Sequence, residues 1–284
     1  MSTAPPSGVA SEPGAGDAVG TAGARGRLVL VPLPLDFGAA PQPLAGTLPL
    51  GTLEQAARLQ VWICENAKTL RAFLKRVAAT VPLSSALQDI VIHELPPELR
   101  KAARRRANAG ASALLASWLE AVNKGQDVGL ASEAGMPAIA DAGAEVVAQA
   151  QAMGLSVVAL TGPVSMMLAL AASGLNGQSF AFYGYLPTDP AQRAQRIRTL
   201  DVQATQFGQT QILIETPYRN LALVQALLAS LSPRTRLCVA SAVGGRDARI
   251  TTKTVANWRQ LALAHENIEY KTALEQPCVF LFGP

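Results

Sequence analysis

Short apolar runs recur along this chain, each stopping at a small or turn-forming residue, and helix-spaced stretches separate them. Unbroken apolar runs of about four residues fit strands buried on both faces, as in a parallel sheet, better than alternating half-exposed strands. This pattern predicts strands at 28–31, 61–64, 90–95, 128–131 and 157–160. Helices are predicted between them, at 53–59, 68–77, 97–108, 114–123 and 144–154, with another at 166–173. Alternation of strand and helix implies an α/β domain with a mainly parallel sheet. A strand at 180–185 ends at Leu186-Pro187, and the domain boundary is placed there. Beyond it, Thr188-Asp189-Pro190 caps a helix carrying Arg193, Arg196 and Arg198. Strands follow at 211–215, 236–242, 249–255 and 278–282, with a hairpin across Gly244-Gly245 and helices at 220–231 and 256–264. The expected organisation is a tail at 1–25, an N-terminal α/β domain at 26–186 and a mixed α/β domain at 187–284. The tail is Ala, Gly, Pro, Ser and Thr with almost no large apolar side chain, so disorder is expected there.

Composition adds little to this frame but removes several classes. Half of the 284 residues are apolar and 15% are charged, ample for sizeable cores. A net charge of +4 permits an anionic partner without requiring one. The basic cluster Arg100, Lys101, Arg104, Arg105 and Arg106 suits a phosphate backbone, and equally the solvated side of a helix; no aromatic residues interleave with it for base stacking. Cys64, Cys238 and Cys278 are scattered without metal-ligand spacing and read as buried thiols of a reducing, cytoplasmic compartment. His93 and His265 are the only histidines, which excludes a multi-histidine metal site, and no metal is expected. No apolar run reaches the ~18 residues of a membrane span, and the N-terminus lacks the charged and hydrophobic regions of a secretory signal, so no membrane association is expected.

The chemistry concentrates after two of the strands. The loops 132–137 and 161–165 each pair glycine, which lets backbone approach a ligand, with proline, which fixes where that backbone points. Loops at the C-terminal ends of parallel strands form ligand crevices. The helix at 166–173, opening at the second of these loops, would aim free N–H groups at a carboxylate.

Four segments in order also carry a resemblance. SEAGMPAIADAG at 132–143 resembles the SDAGTPxxxDPG signature of the ribosomal RNA small-subunit 2′-O-ribose methyltransferase branch of the tetrapyrrole methylase family. TGPVS at 161–165 is similar to its PGPSA, FYGYLP at 182–187 to its FxGFLP, and IETPYRN at 214–220 to its YESPHR. The resemblance implies a two-domain α/β fold, with S-adenosylmethionine in the cleft between a mainly parallel N-terminal sheet and a smaller mixed domain. It also implies a homodimer, with ribosomal RNA or the small ribosomal subunit as partner. Methyl transfer from a sulfonium is mostly alignment, so a site rich in small residues and poor in acids and bases is in keeping.

By the same resemblance Pro32, Ser132, Gly135, Met136, Pro137 and Ile139 line the cofactor from the first domain, with Pro163, Val164 and Ser165 at its methionine or ribose end. Ile214 and Glu215 contribute from the second domain, and Ala240, Thr254 and Val255 close over adenine. Glu133 and Glu65 are the candidate carboxylates for removing a ribose hydroxyl proton. Three segments depart from the family. The Gly-Asn after the first strand is absent, ENAK at 65–68 stands for EDTR, and SAVGG at 241–245 stands for RELTK. Two other functions fit these residues: methylation of a tetrapyrrole, although the corrin and porphyrin enzymes carry GDP where 135–137 reads GMP, and a non-catalytic paralogue that binds cofactor or RNA.

Overall fold

The computed structural model describes residues 26–36, 42–100, 109–263 and 272–284. The expected tail at 1–25 and the basic residues Lys101, Arg104, Arg105 and Arg106 lie outside them. The first half contains β1 (Arg27–Leu30), α1 (Leu50–Arg58), β2 (Val61–Cys64), α2 (Ala67–Ala78), β3 (Val91–Glu94) and α3 (Pro97–Arg100). It continues with α4 (Ala109–Asn123), β4 (Val128–Ala131), α5 (Ala144–Ala152), β5 (Ser156–Ala159) and α6 (Ser165–Ser173). Its five strands are all parallel, in the order β3-β2-β4-β1-β5.

Alternation along these strands sends residues to two cores. Val29, Trp62 and Cys64 pack with α1 and α2, whereas Leu28, Leu30, Ile63 and Leu130 pack with α4 and α5. Two covered faces explain the unbroken apolar runs. A close approach enforces one glycine: a Cβ on Gly129 would stand 2.6 Å from the Trp62 ring. β5 differs from expectation. It forms the sheet edge, and Val157 and Val158 are only half-buried.

The second half contains β6 (Phe180–Gly184), α7 (Pro190–Phe207), β7 (Thr210–Glu215), α8 (Pro217–Ser230) and β8 (Arg236–Ser241). β9 (Arg249–Thr254), α9 (Val255–Leu263) and β10 (Cys278–Gly283) complete it. The sheet order is β6-β7-β10-β8-β9. β6 and β7 are parallel, the other pairs antiparallel, and β8–β9 is the expected hairpin. This sheet therefore begins at β6, ahead of the expected division at 186. Asp189 accepts a hydrogen bond from the Gln192 N–H at 2.9 Å, capping α7 as its sequence predicts.

One face of the second sheet (Leu213, Leu237, Val239, Phe280) packs against α7, α8 and α9. The other face (Ile212, Cys238, Ala240, Leu281) packs against Met166, Ala169 and Leu170 of α6. α6 thus leaves the first sheet's edge strand and lies beneath the second sheet, so its N-terminus stands where the two halves meet. Cys64, Cys238 and Cys278 are all buried and free. Among the described residues no helix is long and apolar enough to cross a membrane.

Candidate functional site

The loops at the C-terminal ends of β1, β2, β4 and β5 converge. Leu33 and Gly135 exchange backbone hydrogen bonds of 2.9 and 3.0 Å, joining the loop after β1 to the loop after β4. Gly135 has φ +66°, and a Cβ there would meet Leu35 at 3.2 Å and the Pro163 carbonyl oxygen at 3.5 Å. β1 separates β4 from β5, so the two Gly/Pro loops flank the β1 loop and do not lie on neighbouring strands. Further along, Ala138 and Ala140 both hold φ near +65°. This conformation costs an alanine on the order of 1 kcal/mol, and such strain concentrates at functional sites. Between the two strained alanines, Ile139 is held 42% exposed.

The opposite wall comes from the second sheet. Ile214 and Glu215 end β7, and they pair with Val279 and Cys278 at the start of β10. Val243 reaches in from the turn after β8. Between the walls lies a crevice of about 280 Å³. Ser165 and Met166 of the first turn of α6 line it, and the N-cap residue Val164 makes no side-chain capping bond. That turn therefore presents backbone donors, and the positive end of the helix, to the crevice.

Four carboxylates face this space: Glu65, Glu133, Asp141 and Glu215. Asn66 caps α2 through its Oδ1, which accepts from the Lys68 N–H at 2.9 Å, and its Nδ2 donates to Glu133 at 2.9 Å. The Glu133 N–H points to Glu65 at 3.4 Å. Burial first, and then the charge of Glu133, raise the Glu65 carboxyl above its ordinary value. Asp141 keeps much of its surface open to water, yet protein crowds its carboxyl. That desolvation, followed by the charges of Glu65 and Glu133, pushes it up to about 7. Glu215 accepts from the Thr216 N–H at 2.9 Å and pairs with Arg219 at 3.0 Å, out of hydrogen-bond alignment. Tyr185 stands by the same group. Burial, then Asp141 and Glu215, raise its phenol above the usual value.

Of the residues expected at a cofactor site, Gly135, Met136, Ile139, Val164, Ser165, Ile214 and Glu215 line the crevice, as do Glu65 and Glu133. Others support it from outside. Pro32 is buried against Gly162, where a Cβ would meet its ring at 2.2 Å. Ser132 is buried, its hydroxyl donating to the Ala134 carbonyl at 3.2 Å, and Pro137 is buried in the same loop. Pro163 holds its carbonyl oxygen near Gly135. Ala240 is fully buried in the core shared with Met166 and Val279.

Thr254 and Val255 are not brought to the crevice. Thr254 pairs with Arg236 at the start of β8, whereas the crevice lies at the other end, beyond Ser241. Five residues of strand separate these ends, about 16 Å. Val255 belongs to the helix-covered core. The physical reason is the hairpin register, which a resemblance in RITTKTV does not specify.

Sequence reasoning passed over Asp141, Tyr185, Leu35, Val243 and the start of β10. The first two lay within quoted motifs, and an acid beside a Gly/Pro loop was signal enough. Leu35 and Val243 lie in segments that depart from the family. A Cβ on Gly244, in the turn after β8, would stand 3.1 Å from Leu35. The absent Gly-Asn and the absent RELTK thus meet in space. Among the described residues no cluster of His, Cys, Asp or Glu is arranged to hold a metal ion.

Comparison with known proteins gives the family. Ribosomal RNA small subunit methyltransferase I of Pseudomonas aeruginosa is 38% identical over 104 residues, 37% of this chain and 36% of that protein. Its counterpart in Mesorhizobium japonicum is 30% identical over 182 residues, 64% of this chain and 54% of that protein. The matches span about a third to a half of the length of these relatives. Among solved structures, the methyltransferase CobJ superposes with a TM-score of 0.53 at 14% identity, over 91% of this chain and 94% of that one. Uroporphyrin-III C-methyl transferase from Thermus thermophilus, complexed with S-adenyl homocysteine, gives 0.51 at 16% identity, over 91% and 97%. These two likenesses concern the fold. Residues 50–258 match the pattern of the tetrapyrrole (corrin/porphyrin) methylases, and the chain belongs to that family.

Proposed function

We propose that this protein is an S-adenosylmethionine-dependent methyltransferase that modifies a ribose 2′-hydroxyl of small-subunit ribosomal RNA. The crevice between the two sheets carries the reading, because it joins the signature loop, the open first turn of α6 and the end of β7. The division into two domains is drawn along it, with the second beginning at β6. The similarity of the matched segments to small-subunit ribosomal RNA methyltransferases supports the acceptor. Work in the cytoplasm follows from that acceptor. A homodimer is supported by the open edge of β5 and by Leu168 of α6, which is exposed.

The residues suit the cofactor. Met136, Met166, Ile214 and Val279 offer an apolar bed for a purine. The first turn of α6 suits a carboxylate, and Glu133 and Glu215 suit a positive charge. Gly135 is a close-approach position, since a side chain there would fill the space between the loops. When bound, S-adenosylmethionine supplies a methyl group on a sulfonium, already a strong electrophile. The protein must hold the acceptor oxygen in line and take its proton. Glu133 is engaged by Asn66 and Glu65 by the Glu133 N–H. Asp141, pushed up to about 7, is better matched to accepting a proton near neutrality.

The test is incubation with methyl-tritiated S-adenosylmethionine and small ribosomal subunits lacking the modification. Label should enter ribosomal RNA and protect one phosphodiester bond from alkali. Label on a base or a protein, or none at all, would overturn the proposed acceptor.

A further inference from the structure

Two exposed tyrosines stand near the crevice mouth. Tyr218 is 84% exposed and Tyr185 is 45% exposed. They come from different elements, Tyr185 from the loop after β6 and Tyr218 from the first turn of α8. Tyr185 lines the crevice, and Tyr218 stands three residues beyond Glu215, which lines it too, at the C-terminal end of the neighbouring parallel strand. Ile139, also exposed, lines the same space from the first sheet's side.

The backbone under Tyr218 is anchored on every side. Thr216 and Pro217 open α8 directly from the end of β7. Arg219, next in sequence, pairs with Glu215. Asn220 is fully buried, and its Nδ2 donates to the carbonyls of Leu274 at 2.9 Å and Gln276 at 2.8 Å. An aromatic ring left in water on a fixed mount is a preorganised contact surface. The two tyrosines are distant in sequence, and the parallel pairing of β6 with β7 brings the ends of their elements to the same side of the sheet.

We propose that Tyr185 and Tyr218 form a stacking platform for a nucleobase of the RNA acceptor, beside the crevice; this rests on the RNA reading above. A ribose reaches a recessed methyl donor only if its nucleotide is splayed from its neighbours, and the base then needs another flat face to replace the lost stack. Tyrosine supplies that face for any base, and Ile139 supplies apolar contact opposite.

The test measures binding of the full chain, saturated with S-adenosylhomocysteine, to a labelled single-stranded RNA of about a dozen nucleotides by fluorescence anisotropy. Tyr218→Ala should weaken binding roughly 10-fold, the loss of one base–aromatic stack, and Tyr218→Phe should bind as the wild type does. A chain of the same length without bases should bind all three proteins equally. Equal RNA affinity of wild type and Tyr218→Ala, or an equal loss in Tyr218→Phe, would overturn the platform. So would a loss of the same size on the baseless chain, or no RNA binding by the wild type. Methyl transfer by the same proteins, assayed separately with S-adenosylmethionine and small ribosomal subunits, separates the two readings. Base-dependent binding without transfer would sink the enzyme and leave the platform, whereas transfer unaffected by Tyr218→Ala would sink the platform alone.

Discussion

The two walls of the crevice are built on different principles. The wall from the parallel sheet is made of backbone: Gly135, Ala138 and Ala140 hold left-handed conformations, and the loop is tied to Leu33 by paired hydrogen bonds. The wall from the mixed sheet is made of side chains set by strand register, with Ile214 and Glu215 beside Val279 and Cys278. A wall made of backbone conformation tolerates few substitutions where φ is positive or the approach is close. A wall made of register tolerates changes of side chain while the ladder stays intact. The departures from the family fall on both walls: two lie in loops of the parallel sheet, after β1 and after β2, outside the positive-φ positions of the signature loop. The third lies in the turn after β8, and it rests on the first of these, the loop holding Leu35.

Substitutions can break or sharpen this contrast. The largest effect is expected at Gly135. Valine there would be strained at φ +66° and would press on Leu35 and the Pro163 carbonyl. Gly135→Val should reduce S-adenosylhomocysteine affinity by two orders of magnitude or more, read by calorimetry, with the first sheet still folded.

Asp141→Asn comes next. It should lower the methyl-transfer rate by roughly 100-fold, the low end of a lost general base, while changing cofactor affinity only a few-fold. Wild-type transfer should rise with pH through about 7 as the carboxylate forms, and the variant should lose that limb. The sign for stability is opposite. A carboxyl raised in the folded state binds its proton more tightly there than in the unfolded chain, so stability falls as pH rises between its ordinary value and about 7. Asp141→Asn should therefore raise Tm more at pH 8 than at pH 4.

Gly162→Ala would place a Cβ 2.2 Å from Pro32. It should cost about 1–3 kcal/mol of stability by urea denaturation, as overpacking does, with a smaller effect on cofactor affinity. The smallest effect is expected at Thr254. Thr254→Ala should leave cofactor affinity within about two-fold, because β8–β9 register holds it about 16 Å away along the strand. A large loss there would break the contrast by returning adenine recognition to β9.

The same contrast explains what could be read from the residues. The central parallel strands β1, β2 and β4 were legible because each is short, apolar on both faces and stopped by turn residues, and the helices follow 3.6-residue spacing. The backbone wall was legible because glycine and proline advertise unusual backbone conformation. The partnership of β10 with β7 was not, since it joins Cys278 to Glu215 across more than sixty residues. That pairing brings the start of β10 to the crevice, and the β8–β9 hairpin register, equally unwritten in the residues, carries Thr254 away from it. Asp141 was visible within the signature, but its perturbation depends first on burial and then on the charges of Glu65 and Glu133, and burial and the approach of Glu65 from the loop after β2 come through folding alone.

The most direct measurement is calorimetric titration of the full chain with S-adenosylhomocysteine, beside Gly135→Val and Thr254→Ala. The account predicts micromolar binding, abolished in the first variant and retained in the second. No binding by the wild type at millimolar ligand, or binding indifferent to Gly135→Val, would contradict a cofactor site between the two sheets.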